Sequence, residues 1–310
     1  MKKTILVTAI AAVMAGPAAA LEADFYGNMR ASYRTATVHT TGGTQEAGID
    51  SSKLVVGWKG SEDLDNGNTV SFKLELEHDD TDTKNGDWDN DRSWVAIGGD
   101  WGKVVLGRED TFDGWANAGT DIFAINGGHG YFAGNELEHG IQYRGGTGAI
   151  KFGIGAEIDS EPVGGATNTT YGISFEGENW QVGAHGADAD SDASTSVGIG
   201  SAIVPGDTAL NIGGYYTFGN FTIGVTLGDN GAAVNSEALD IVLGFPLGPC
   251  GALVGMASGD ALDAAATGPS GDILNLGYNC SSGAAYYGLE MNDEDDLPDA
   301  NFIAYYGVRF

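Results

Sequence analysis

Apolar and polar residues alternate, step by step, along most of this chain. In "DFYGNMRASYR" the odd positions are Phe25, Gly27, Met29, Ala31 and Tyr33, and the even ones are Tyr26, Asn28, Arg30, Ser32 and Arg34. In "TVSFKLELEH" Val70, Phe72, Leu74 and Leu76 oppose Ser71, Lys73, Glu75 and Glu77. A period of two marks strands with one apolar and one polar face. The pattern returns at 149–158, 170–178, 220–229 and 283–291. It closes the chain in "NFIAYYGVRF", where Phe302, Ala304, Tyr306, Val308 and Phe310 share one parity.

The connections come in two kinds. Some are tight, as around Asp100-Trp101-Gly102, Gly145-Gly146-Thr147, Gly177-Glu178-Asn179 and Phe218-Gly219-Asn220. Others are long and acidic, at 38–48, 78–91, 109–138, 159–168, 188–207, 228–237, 259–270 and 292–300. Short and long connections take turns, which is the layout of an up-and-down barrel with short periplasmic turns and longer outer loops. Seventeen stretches read as strands, and a single-chain bacterial barrel needs an even number. Ser194 to Val204 is the one demoted, to an irregular or hairpin-like part of the fifth outer loop, because counting it would put the tight turn at Gly219 on the long-loop side. The expected fold is all-β: a transmembrane, sixteen-stranded antiparallel barrel.

Three rivals share part of this pattern. A secreted β-sandwich also alternates. Strands of about ten residues, the loop asymmetry, and aromatics near strand ends (Phe25, Tyr33, Trp58, Trp180, Tyr286, Phe302, Tyr306) favour a lipid-facing band with aromatic girdles. A membrane helix at 241–257 is broken by Pro246, Pro249 and several glycines. A calcium-binding β-roll needs nonapeptide repeats that the chain lacks.

Composition then narrows the setting. Lys2 and Lys3, an apolar run to Ala15 and the small residues Ala18-Ala19-Ala20 make residues 1–20 a Sec-type signal peptide, leaving 21–310 for the barrel. Glycine, at 51 residues, interrupts nearly every long helical window. A net charge of −29 argues against generic nucleic-acid binding. Cys250 and Cys280 fall at periplasmic turns, at the start of the thirteenth strand and the end of the fourteenth, so a disulfide between neighbouring strands is expected at that rim.

"SSKLVVGWKGSEDLDNGNTVSFKLE" (51–75), "RSWVAIGGDWGKVVLGRED" (92–110) and the ending "YYGVRF" resemble the general diffusion porins of Gram-negative outer membranes, most of all those of photosynthetic and related alphaproteobacteria. The resemblance implies a homotrimer giving ions and small hydrophilic solutes a passive route through the outer membrane, in contact with its lipid and lipopolysaccharide. It implies that Phe310 is read by the outer-membrane assembly machinery. It also implies that a third loop, here Glu109 to Glu138, folds inward. The length of that loop and its apolar cluster (Trp115, Ile122, Phe123, Ile125, Tyr131, Phe132) independently set it apart from a free surface excursion.

In such a pore the chemistry is electrostatic. Acids facing bases across a constriction create a transverse field that orients solutes. On strand parity Arg30, Arg34, Lys53 and Lys73 face the lumen, and Arg108 matches the pore-lining arginine of the resembling family. These five are the expected basic wall, with Arg144 and Lys151 as further candidates. Between Lys151 and Arg309 there is neither lysine nor arginine. Asp113, Asp121, Glu136 and Glu138 are the expected acidic partners, and the overall acid excess points to a cation preference.

The alternative functions are a phospholipase- or protease-type barrel enzyme and a solute-specific channel. His39, His78, His129, His139 and His185 are scattered, with no metal-protease or nucleophile-elbow motif. A specific channel would need an aromatic slide, and Tyr26, Tyr215 and Tyr305 on the polar parity are few for one. No cofactor is required; calcium could bridge acids in "HDDTDTKNGDWDND" without the ligand order of an EF-hand.

Overall fold

The computed structural model describes residues 23–35, 39–40, 43–44, 48–50, 53–79, 88–123, 136–157, 169–188, 208–229, 237–259, 272–294 and 300–310. Sixteen long strands follow one another in chain order: β1 Ala23–Arg34, β2 Lys53–Asp63, β3 Thr69–Asp79, β4 Trp88–Gly99, β5 Gly102–Asp110, β6 Glu136–Thr147, β7 Ile150–Glu157, β8 Thr169–Glu176, β9 Trp180–Asp188, β10 Thr208–Phe218, β11 Phe221–Asp229, β12 Glu237–Leu247, β13 Cys250–Gly259, β14 Ile273–Ser282, β15 Ala285–Glu294 and β16 Asn301–Arg309. Each pairs antiparallel with its neighbours, and β1 closes on β16 from Asn28 opposite Arg309 to Arg34 opposite Ile303. The three-residue piece Gly48–Asp50 extends the β2 side of the ladder beside Ser32–Arg34. Closure leaves no sheet edge in lipid, where an unpaired backbone group would cost several kcal/mol.

The barrel is inside out relative to a water-soluble domain. Ile154, Met256 and Leu289, on the outward parity, are 60%, 61% and 60% exposed, whereas Thr226, Asp240, Asn275 and Glu290 on the inward parity are 2% exposed or less. The apolar parity therefore meets lipid and the polar parity lines the lumen. Residues 241–257, a rival for a membrane helix, instead form most of β12, a turn at 248–249 and most of β13. Tyr286 corrects the girdle expectation: it is 8% exposed, points inward and donates to Asn28 Oδ1 at 2.6 Å, while its neighbour Tyr287 faces outward.

The short turns lie where expected, within a few residues. Thr147 still pairs with Ile150, so that hairpin turns at 148–149 rather than at Gly145-Gly146-Thr147. Gly148, Gly219, Gly248 and Gly283 all start two-residue turns with φ between 58° and 68°, the geometry that tight hairpins demand. Ser194 to Val204, most of the acidic 78–91 loop and residues 1–20 lie outside the described residues.

Two features fasten the seams. Phe310 exchanges both backbone hydrogen bonds with Gly27, at 2.8 and 3.0 Å, and its ring lies 5.8 Å from that of Phe25 on the outer face. Cys250 and Cys280 sit directly opposite each other on β13 and β14 and form a disulfide with an S–S distance of 2.07 Å. Reduction is expected to destabilise the barrel by about 2–4 kcal/mol. Electrophoresis should show it unfolding at a lower temperature with reductant than without, and the native protein should resist maleimide.

Candidate functional site

After Asp110 the chain leaves the wall, forms the single helical turn α1 (Asp113–Ala116) and crosses the inner face of the barrel as far as Phe123, the last described residue of this segment. The strand ends set the loop at 111–135, shorter than the expected 109–138. Glu109 and Asp110 belong to β5, and Glu136 and Glu138 to β6. Phe112 and Ala116 are fully buried and Phe123 is 7% exposed, so the loop lies flat against the wall. The rings of Phe112 and Trp115 pack 4.9 Å apart.

The wall is shaped to receive it. Gly153 (β7), Gly172 (β8), Gly183 (β9), Gly213 (β10), Gly224 (β11), Gly255 (β13) and Gly277 (β14) face the lumen along the line the loop follows. A Cβ at Gly183 or Gly224 would overlap the carbonyl oxygens of Trp115 and Gly119, and one at Gly153 would overlap the Phe112 ring. At Gly255 it would stand 2.8 Å from the Phe123 ring. In β12 the place in this row goes to Val242, opposite both Gly224 and Gly255. This bears on the uncharged inner face of 241–257: Gly255 receives the Phe123 ring, and Val242 beside it is buried.

Polar wall residues take up the carbonyls that the loop turns towards them. Gln181 Nε2 donates to Trp115 O at 3.1 Å and Thr226 Oγ1 to Ala116 O at 3.3 Å. The hydroxyls of Thr120 and Thr226 meet at 2.7 Å. At the root, Gln142 Nε2 and Arg144 Nη2 donate to Asp110 O at 2.8 and 2.5 Å. Buried backbone acceptors are thus satisfied without the loop forming a strand of its own.

The charges are sorted around the wall. Arg30 and Arg34 lie half-buried on the inner face of β1. Lys53 pairs with Glu77 at 2.7 Å, Lys73 with Glu75 at 3.2 Å and Lys151 with Glu176 at 2.6 Å. Arg108 pairs with Glu136 at 2.6 Å and Glu138 at 3.6 Å, which places these two acids on the wall beside the arginine rather than across from it. They were expected on the loop because the connection reads as 109–138 in the sequence, whereas β6 already begins at Glu136; a bulge between Gly107 and Glu109 interrupts the β5–β6 ladder beside them. Asp113 and Asp121 do lie on the inward loop.

Arg92 was missed. Its guanidinium forks onto Asp110 at 2.7 and 3.1 Å and also bonds Asp91 at 2.7 Å and Glu75, which accepts from Tyr26 at 2.6 Å. "WDNDRSW" is polar on both parities, so no period shows, and a bulge at Glu75/Leu76 shifts the register. Counting back from Trp94, Ala96 and Gly98 would have put Arg92 on the inner face.

Asp113 carries the pH dependence of the loop. Its carboxylate accepts from Thr111 and Asn117, both at 3.4 Å, and burial pushes its pKa from 3.8 up to about 6. Between these values the folded loop holds a proton that the unfolded chain releases. Seating is therefore tightest in acid and weakens as pH rises through this window. The negative charge enters the lumen only above about pH 6. Cation selectivity should rise from pH 5 to pH 7, and Asp113→Asn should lessen that rise in reversal-potential measurements.

A family model described as "Gram-negative porin" matches residues 7–296. The chain is 30% identical over 115 residues to the major outer membrane protein P.IB of Neisseria meningitidis serogroup B, a match spanning 35% of this chain and 34% of that one. Among solved structures it resembles Salmonella typhi OmpF in complex with daunomycin (TM-score 0.72, 11% identity, 94% and 98% of the two chains covered). It also resembles the trimer form of OmpT, an outer membrane protein of Vibrio cholerae (0.68, 15%, 93% and 99%), and a triple mutant of Rhodopseudomonas blastica porin (0.65, 15%, 94% and 99%).

Proposed function

The chain belongs to the Gram-negative porin family and is a protein of the outer membrane, and on that premise we propose that it is a water-filled channel for passive diffusion of ions and small hydrophilic solutes. The observation that carries this reading is the inward loop held on the wall of a polar lumen, with Asp113 and Asp121 on the loop and the bases gathered on β1–β7. Such a division of charge acts on a passing dipole and needs no chemical step. The trimer form of a Vibrio cholerae neighbour supports a homotrimer as the assembly. The acidic excess of the whole chain, −29, supports a preference for cations, which would be concentrated at the mouth. Among the described residues nothing favours the hydrolase reading: His185 is buried against the Thr170 hydroxyl at 2.8 Å, and His139 lies on β6.

Planar-bilayer recordings in a KCl gradient test the proposal. Conductance steps arriving in threes, with a reversal potential displaced towards that of potassium, are the expected result. A purified, heat-modifiable barrel that gives no steps would overturn the channel; an anion-directed reversal potential would overturn the cation preference alone.

A further inference from the structure

Beneath the inward loop, towards the short-turn end of the lumen, is a cavity of about 560 Å³. The turn residues Gly67 and Asp100 are part of its lining, so it reaches the short-turn rim, and Trp115 of the loop stands on its inner side. Three cations line it, Lys103, Arg144 and Lys151, against one carboxylate, Asp100.

The placement of these cations is costly without an anion. Lys103 and Arg144 are directly opposite each other in the β5–β6 ladder, an arrangement in which like charges repel. Arg144 is partly compensated by Glu109 at 3.6 Å and by the Asp110 carbonyl, and Lys151 by Glu176. Among the described residues no carboxylate comes within ion-pair distance of Lys103, Glu109 acting on it only from farther off; its ammonium lies 5.0 Å from the centre of the Trp94 ring. A volume of this size suits a small molecule, and its lining offers both charge and an aromatic surface.

We propose that this cavity is a subsite for small organic dianions, a phosphate monoester with a flat body being the best fit. Lys103 and Arg144 hold the dianion, and the ring of Trp115 packs on the flat body. The subsite deepens the channel reading and rests on it: the outer acids concentrate cations, whereas a dianion that has passed the loop is held at the inner end.

Phenyl phosphate, inorganic phosphate and phenol, each added to the purified protein, separate the contributions. Calorimetry in detergent reads binding, and bilayer current in KCl reads interruption of flow. Phenyl phosphate is expected to bind more tightly than inorganic phosphate, and phenol not to bind. Lys103→Gln should weaken phenyl phosphate about tenfold, the loss of one charge-assisted contact. Trp115→Ala should abolish the preference for phenyl phosphate over inorganic phosphate. Lys59, which lies outside the cavity lining and also faces a like charge, Lys73, supplies the control. If Lys59→Gln weakens binding as much as Lys103→Gln, the general field of the basic wall is responsible and the subsite is overturned. KCl steps without dianion binding or interruption would overturn the subsite and leave the channel standing. Dianion binding in a barrel that gives no KCl steps would do the reverse.

Discussion

Gly224→Val should raise the single-channel conductance and its current noise while leaving the barrel intact. Valine suits a strand, so β11 itself gains from the change. Its side chain, however, needs the space taken by the carbonyl of Gly119, and that carbonyl cannot move without lifting the loop. Overfilling a packed site costs about 1–3 kcal/mol, and at the low end this already shifts the ratio of seated to lifted loop by a factor of about 5. A control sits on the next strand. Gly244 also faces the lumen, but a Cβ there would have its nearest neighbours at an ordinary 3.7 Å, so Gly244→Ala should conduct like the parent. Equal conductance for Gly224→Val and the parent would show that the loop is not held by the glycine row.

Arg92→Ala should lower the stability of the barrel and should also increase cation selectivity. The arginine neutralises Glu75, Asp91 and Asp110, and Asp110 is the last wall residue before the inward loop. Removing one partner of a fully buried ion pair costs about 3–5 kcal/mol; with 23% of the Arg92 side chain still open to water, about 1–3 is the appropriate scale. The three acids would then repel one another, most strongly at low salt. Arg92→Lys keeps the charge but cannot fork onto Asp110, so it should recover selectivity better than stability. Unchanged unfolding temperature and reversal potential in Arg92→Ala would remove the network from any account of the pore.

The barrel was legible because alternation and loop length are repeated around it. An error at one strand is corrected by its neighbours, as when parity and turn placement together reduced seventeen strands to sixteen. The inner face of β1, β2 and β3 followed from the same count, which placed Arg30, Arg34, Lys53 and Lys73. Where the pattern itself lapses, the reading failed: "WDNDRSW" is polar on both parities, which hid Arg92, and loop bounds of 109–138 carried Glu136 and Glu138 off the wall. The glycine row was invisible for a different reason. Its members are far apart in the chain, each is one of 51 glycines, and only strand register brings them into line. The inner face of 241–257 likewise made no sense until the loop that covers it was in place.

That row also makes the inward loop a test of correct assembly. Slipping a strand by one residue reverses its faces, so on most strands between β7 and β14 such an error would turn a glycine outward and set a side chain in the loop's path. Seven of these eight strands contribute a glycine, and none of them adjoins β5, from which the loop departs. Docking must therefore wait until distant parts of the wall have been paired, which places it late in folding. A misregistered barrel could still close and remain in the membrane, but its loop would have nowhere to lie. Pore width is then a readout of strand register, and a population of abnormally conducting channels is the signature of misassembly.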